Sequence, residues 1–600
     1  MVYETSYGTG QKPFSPDLDR GKWEKPTDFL FACFGLALKL DIFVASYWFF
    51  FDMGICGMLP YYIYMVIYLV PILVIHSFMG QFSSSGFISA FRVSPFFKGM
   101  GYVSTFLTIS MLIYYGIFAA VPLLFIINSV HPTLPWSCEG MKSWHNESSD
   151  QLTICNFSKT EEDLLYLNDN GTVDYYTKIL HVPSVLYFQK HFDTLDESRF
   201  PDLSREYELS WHFVGFFILV WAIIGFIFYK FSETAKFGKL LRFMVLITLG
   251  LLGVCFVRFL FLPGSINGLL NYLTPRREDL IMGSGSTFIM VLQAFGAGWG
   301  SVMALSSFNG FKTNIMSYSW IISFGQIFIY IFFGLVTFML EHYYEEMKTE
   351  NFDTHVINHW LLFLSSASAL ASLEWPNMWT VIYYSMLLLA ALIVMITQIF
   401  TVLTSVFDEF EGLRKYKQEV TFGLIGGLAL CSFFFCTNHG IVYFSALALD
   451  AIWSHSILHL LLLLVVLWIY GRERFQRDIE FMLGQPFASW KIFILRFIAP
   501  LILIVSLLMG IAVAIMEHSY SSIIVLVISV FLVVIPLLVI PGYGLYNMYQ
   551  STGSCWERFR RTCRPTDWYP VEMEHRQQYE EAVGNTDVTH QLFEVTDEVN

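Results

Sequence analysis

Twelve apolar runs, each long enough to cross a bilayer, recur along the chain and restrict what it can fold into. They fall at about 29–51, 57–80, 101–130, 211–230, 241–262, 283–308, 319–340, 379–405, 420–436, 445–470, 491–516 and 523–548. A helical span needs about 20 mostly apolar residues, at roughly 1.5 Å rise each. Hydrophobic residues make up 55% of the 600 and charged residues only 14%, against about 25% charged in a soluble domain. The expected class is an all-α polytopic membrane protein, because a spanning helix satisfies its own backbone polar groups. Turn residues such as Pro263-Gly264 and Pro541-Gly542 mark the seams. The expected division is a tail over 1–28, a twelve-helix body over 29–548 and a second tail over 549–600.

Orientation follows from the Lys and Arg bias of the connections. Arg92 and Lys98, then Lys230, Lys236 and Lys239, Lys312, Arg414 to Lys417, and Arg472 to Arg477 fall on one side if both termini are cytoplasmic. The opposite side is acidic, with Glu341, Glu345, Glu346, Glu350 and Asp353. Its longest loop, 131–210, carries Asn-x-Ser/Thr sequons at Asn146, Asn156 and Asn170, the expected acceptors of glycosylation. Cys138 and Cys155 stand alone in the same loop and can pair if it faces outward. Residues 1–25 are polar and lack an apolar signal core, so the first span is expected to direct insertion. The net charge of −14 is spread over loops and tails; no basic face offers itself to nucleic acid. The basic patch Arg558, Arg560, Arg561 and Arg564 reads first as juxtamembrane positive-inside charge.

Chemistry is sparse. No GxxxxGK[ST] loop is present to cradle phosphates, and no catalytic constellation forms, so no enzyme is expected. The histidines are scattered without metal-ligand spacing, and His76 reads as a hydrogen-bonded packing residue. Two spans stand out. The first holds Lys39 and Asp41 near its middle, where a charge costs roughly 2.5–3.5 kcal/mol on insertion scales and should face protein or water. The sixth holds Gly296, Gly298 and Gly300. Each glycine costs about 1 kcal/mol relative to alanine in a helix, so an unwound segment is expected, with close helix packing as the alternative. Transporters of inverted-repeat design expose backbone groups through paired discontinuous helices of this kind.

The chain resembles the neurotransmitter:sodium symporters (solute carrier family 6) over about 23–549. The likeness rests on Leu59-Pro60-Tyr61, Gly80-Gln81, Pro95 to Gly101, Tyr114-Tyr115, Leu134-Pro135-Trp136, Val257-Arg258, Leu262-Pro263-Gly264, Gly296 to Gly300, Ser307-Phe308-Asn309, Asp408-Glu409-Phe410, Tyr470-Gly471-Arg472, Asp478-Ile479 and Met482-Leu483-Gly484, in that order. The resemblance implies twelve spans, two inverted five-helix repeats with discontinuous helices 1 and 6 plus two extra helices, and a central site between spans one, three, six and eight. It also implies a plasma-membrane protein that moves a small solute with sodium and usually chloride. By this likeness Lys39, Asp41, Tyr115, Gln293, Gly296, Trp299 and Ile393 border the substrate.

The departures fall on the ion sites. The family's first span carries Gly-Leu-Gly-Asn-Val-Trp-Arg-Phe-Pro, where this chain reads Lys39 to Ser46, with Ile42 at the sodium-ligating asparagine. The span-six serine and glutamine fall at Ala294 and Met290, and the span-seven asparagine and serine at Gln326 and Tyr330. The span-eight aspartate and serine fall at Ile393 and Val394; of the chloride side chains only Tyr61 is kept. Sodium is a hard cation that takes oxygen ligands, as such cations do, so both sodium sites are expected to be degenerate, and no other cofactor is expected. Lys39 brings a cation to the substrate position, either to pair with substrate or to form a structural pair with Asp41. Two functions remain open: a secondary transporter of an amino-acid-like or amine solute, or a non-transporting relative serving as a receptor or trafficking partner. The sequence leaves oligomeric state open.

Overall fold

Apolar runs rich in helix formers become long helices, even through Pro122, Pro536 and Pro541; Pro541-Gly542, expected to mark a seam, lies inside the helix Ile523–Gln550. The computed structural model describes residues 14–40, 54–145, 183–184, 187–188, 207–347, 359–438, 440, 454–518 and 523–583. In chain order the principal helices are α1 Pro26–Ala37, α2 Gly54–Ser83, α3 Gly99–Asn128, α4 Trp211–Lys230 and α5 Thr234–Leu260. Then come α6 Arg277–Gln293, α7 Gly300–Ser306, α8 Ile315–Met347, α9 Pro376–Glu409 and α10 Lys417–Ser432. The last are α11 Ser454–Ile469, α12 Arg472–Leu483, α13 Ala499–His518, α14 Ile523–Gln550 and α15 Cys555–Cys563. Among the described residues there is no β-strand, only an isolated bridge between Leu209 and Thr437.

Eight described helices are long and apolar enough to cross a membrane, or nine if α11 and α12, bent by 90°, form one broken span. The sixth of the twelve expected runs fails that test for a structural reason: it is broken. α1 begins with Pro26 at its first position, which fixes φ where no backbone donor is needed. Asp28 accepts the Lys25 backbone N–H at 3.1 Å. The helix then stops at Ala37, and Leu38 leaves helical geometry with ψ 28°. Leu38 and Lys39 are thus non-helical without any glycine there, and 41–51 of the first run lie outside the described residues. The sixth run is split into α6 and α7, of 17 and 7 residues.

The end of α1 and the α6–α7 break come together because α1 packs on α5, α8 and α9, and α7 packs on α2 and α9. α3 lies along α9 and against the turn Ala297–Trp299. Elements from spans one, three, six and eight thus meet at the centre. The segment after α14 does not hang free. Trp568 and Tyr579 are buried, Trp568 stacks on Phe82 at 5.2 Å, and the Tyr579 hydroxyl donates to Asp478 at 3.0 Å. The Thr566 N–H donates to the Arg92 carbonyl at 2.9 Å and the Arg92 guanidinium to the Asp567 carbonyl at 3.3 Å, tying the same segment down.

Candidate functional site

At the centre, Lys39 is buried and its Nζ donates to the Gln293 carbonyl at 3.5 Å. The next residue, Leu40, donates its backbone N–H to the Tyr115 hydroxyl at 2.9 Å. The backbone N–H of Leu40 past the end of α1 is thus taken up by α3, and the Gln293 carbonyl at the end of α6 by the Lys39 side chain, as buried backbone requires. Asp41 and Ile42 lie outside the described residues, as do Cys155, Asn146, Asn156 and Asn170. Cys138 is disulfide-bonded.

The break between α6 and α7 is made by left-handed backbone: φ is +93° at Gly296, +55° at Gly298 and +54° at Trp299. The expected unwinding at the glycines is therefore present. Trp299 has a Cβ and adopts this region at a cost of order 1–3 kcal/mol. Its buried ring holds it there, with Nε1 donating to the Leu292 carbonyl at 2.8 Å. A methyl group on Gly296 would lie against the Gln398 amide nitrogen. Gly296→Ala is expected to lower thermal stability by about 1–2 kcal/mol from the left-handed backbone alone. Uptake should fall at least as far, read by scanning fluorimetry and radiotracer flux.

Gln398 is the functional candidate that sequence reasoning missed. It is fully buried on α9, its Oε1 accepts from the Ser301 hydroxyl, and its Nε2 has no partner among the described residues. A lone amide inside an apolar span was the available signal, since polar groups at membrane depth are functional by default. Ile393 packs its Cγ2 against Gly35, one turn before Lys39; the glycine's lack of a side chain makes room for it. Thr397 spends its hydroxyl on the Ile393 carbonyl at 2.6 Å.

At the positions where the resemblance places ion ligands, Met290, Ala294, Ile393 and Val394 present buried apolar side chains. Tyr61, the retained chloride residue, donates its hydroxyl to Gln326 Oε1, and Tyr330 is buried with them in α8. Gln326 Nε2 has no partner among the described residues. Tyr61→Phe would orphan the amide oxygen as well, so destabilisation of roughly 1–3 kcal/mol is expected. It should leave the chloride response of transport unchanged, as measured with chloride replaced by gluconate. No group of three His, Cys, Asp or Glu side chains among the described residues could hold a metal.

Three histidines meet here, one of them distant in sequence from the other two. His455 and His459, one turn apart on α11, and His76 on α2 are all buried beside the α6–α7 break. The His76 and His459 rings are 5.5 Å apart, and both flank Trp299, at 5.3 and 4.9 Å. Tyr68, within the π-helical turn Met65–Leu69 of α2, is hydrogen-bonded to His459 Nδ1 at 2.8 Å. His76 is hydrogen-bonded and packed, as its position in an apolar run suggests.

A second polar cluster ties the segment before α1 to α9 and to the ends of α2 and α7. The Arg20 guanidinium pairs with Asp408 at 3.0 Å, bonds the Ser84 carbonyl and Ser307 hydroxyl, and lies 4.2 Å over the Phe308 ring. Asp408 also accepts the Gly86 N–H at 2.6 Å. Burial lowers the Arg20 pKa, partly opposed by the Asp408 carboxylate. Trp23 adds a hydrogen bond from Nε1 to the Leu305 carbonyl at 3.0 Å.

Comparison with known proteins agrees with this architecture. The family model described as the sodium:neurotransmitter symporter family matches residues 20–551. The chain is 25% identical over 585 residues to the human sodium- and chloride-dependent neutral and basic amino acid transporter B(0+), covering 93% of this chain and 90% of the relative. It is 26% identical over 593 residues to the sodium- and chloride-dependent glycine transporter 1 of Xenopus laevis, with the same coverage. Matched over nearly its whole membrane region, the chain belongs to the sodium:neurotransmitter symporter family, whose members are transporters and not enzymes.

Proposed function

We propose that this protein is a secondary transporter of a small amino-acid-like solute across the plasma membrane, with sodium and chloride coupling weakened or lost. The reading includes twelve spans in two inverted repeats and cytoplasmic termini, in keeping with the Lys and Arg bias of the loops. The observation that carries it is the meeting of the end of α1 and the α6–α7 break at Lys39, with apolar side chains at Met290, Ala294, Ile393 and Val394. A fixed ammonium at the end of a broken helix suits a carboxylate-bearing substrate, while carbon side chains offer sodium nothing. Gln398, whose amide nitrogen lies beside Gly296, supplies a second donor to such a carboxylate.

The test is uptake of tritiated glycine, leucine, lysine and glutamate into proteoliposomes holding the full-length protein, with sodium or with N-methyl-glucamine outside. Uptake that does not change on sodium removal is expected. Steep sodium dependence would refute the ligand argument. Failure of every substrate to exchange, by protein that is folded and monodisperse, would favour a receptor or trafficking subunit.

A further inference from the structure

We propose that His76 and His455 form the binding site of the coupling ion, and that this ion is a proton. The inference rests on the transport reading above and names the driver of that transport. It starts from donor counting. His76 Nδ1 lies 2.9 Å from the Ile72 carbonyl oxygen, and Nε2 lies 3.1 Å from the Gly298 carbonyl oxygen. A neutral imidazole has one N–H and one lone pair; only the imidazolium donates from both nitrogens. Both carbonyls are therefore satisfied by His76 only when it carries the extra proton. With Nδ1–H held on Ile72 within its own helix, Nε2 is the atom that gains and releases it.

The other pole of the same residue is held by the other histidine. The Gly298 N–H donates to His455 Nδ1 at 3.1 Å, which requires that nitrogen to be unprotonated. Gly298 is thus clamped between α2 and α11: its carbonyl by a histidine that must donate, its N–H by a histidine that must accept. A proton arriving on His76 forms the N–H···O bond to Gly298, and its departure breaks that bond. A proton on His455 Nδ1 would instead oppose two donors. Gly298 lies in the left-handed turn joining α6 to α7, two residues from Gly296, and Lys39 reaches the same α6 terminus through Gln293. Proton occupancy and the shape of the substrate-side turn are consequently properties of one backbone segment.

The groups around His76 are few. From α11 it faces His459, with His455 one turn away; Tyr68 lies on its own helix and Lys39 at the end of α1, close enough to act electrostatically on His455. α7 and the membrane-depth part of α8, both packed on α2, carry no Asp, Glu, Lys or Arg. Arg496, from the turn packed against Met65–Leu69, keeps its guanidinium over Trp468 at 3.9 Å.

Two measurements on the full-length protein test the assignment. In proteoliposomes, the steady-state accumulation ratio of the same four tritiated amino acids is read with and without an acid-outside gradient of one pH unit. One proton per substrate limits the ratio to about tenfold, since a pH unit is worth about 1.4 kcal/mol. This ratio does not depend on how fast a variant works. Wild type is expected to approach that limit, and His76→Gln to show no gradient response. Exchange of label without any gradient response in wild type overturns the proton inference while leaving transport intact. A response kept by both His76→Gln and His455→Gln overturns the assignment to this pair, and absence of exchange overturns both readings together. In detergent, a pH titration of tryptophan fluorescence needs no substrate: a quenching step lost in His76→Gln and in Trp299→Phe is expected, and a titration unchanged by His76→Gln overturns the site.

Discussion

Lys39→Gln is expected to weaken binding of carboxylate-bearing substrates by roughly 2–5 kcal/mol, the usual effect of truncating one partner of a buried, hydrogen-bonded charge pair. That corresponds to a loss of about 30-fold or more in affinity. The size follows from burial: Lys39 is 3% exposed, and its ammonium is directed at the Gln293 carbonyl where α6 ends. Glutamine keeps a donor and much of the length but removes the charge. Binding is measured by scintillation proximity with tritiated glycine, leucine and glutamate on purified protein. Unchanged affinity with a lowered thermal midpoint would assign Lys39 to a structural ion pair instead. Reduced affinity for amino acids with little change for the corresponding decarboxylated amines would locate the lost contact at the carboxylate.

Arg20→Ala should destabilise the protein by roughly 3–5 kcal/mol, because it leaves Asp408 as an uncompensated buried carboxylate. Asp408 is 3% exposed on its side chain and Arg20 12%, so solvent screening is slight. The guanidinium fork reaches Asp408, the Ser84 carbonyl and the Ser307 hydroxyl at once. An ammonium cannot reproduce that planar geometry, so Arg20→Lys should recover only part of the loss. The expected readouts are a lower thermal midpoint and faster maleimide modification of Cys33, a buried thiol on α1, followed peptide by peptide. A variant with normal stability and unchanged Cys33 reactivity would show that the cluster does not hold the segment before α1 in place.

The break in the sixth run was legible because glycine carries its conformational freedom locally. Gly296 and Gly298 adopt positive φ, where Trp299 alone must be held in place by its surroundings. The end of α1 had only an indirect signal. Lys39 and Asp41 marked the run as unusual, but α1 ends at Ala37 through packing on α5, α8 and α9, with Tyr115 receiving the Leu40 N–H. The residues at the positions where the resemblance places ion ligands were readable one by one from the motif. How they pack was not: Ile393 against Gly35, and Tyr61 satisfied by Gln326, depend on which helix faces which.

The sequence by itself determined a helical membrane protein of the symporter family, the position of the sixth-run break and the apolar side chains Met290, Ala294, Ile393 and Val394 at positions where the resemblance places ion ligands. Hydrophobic run length, glycine backbone freedom and side-chain chemistry are properties of short stretches, and they survive without knowledge of the fold. Only the tertiary structure decided that His76 and His455 grip the two poles of Gly298, that Gln398 stands beside Gly296, and that Arg20 locks Asp408. Those contacts join residues far apart in the chain, and no local pattern specifies which buried polar groups will share a partner. Helix packing makes that choice.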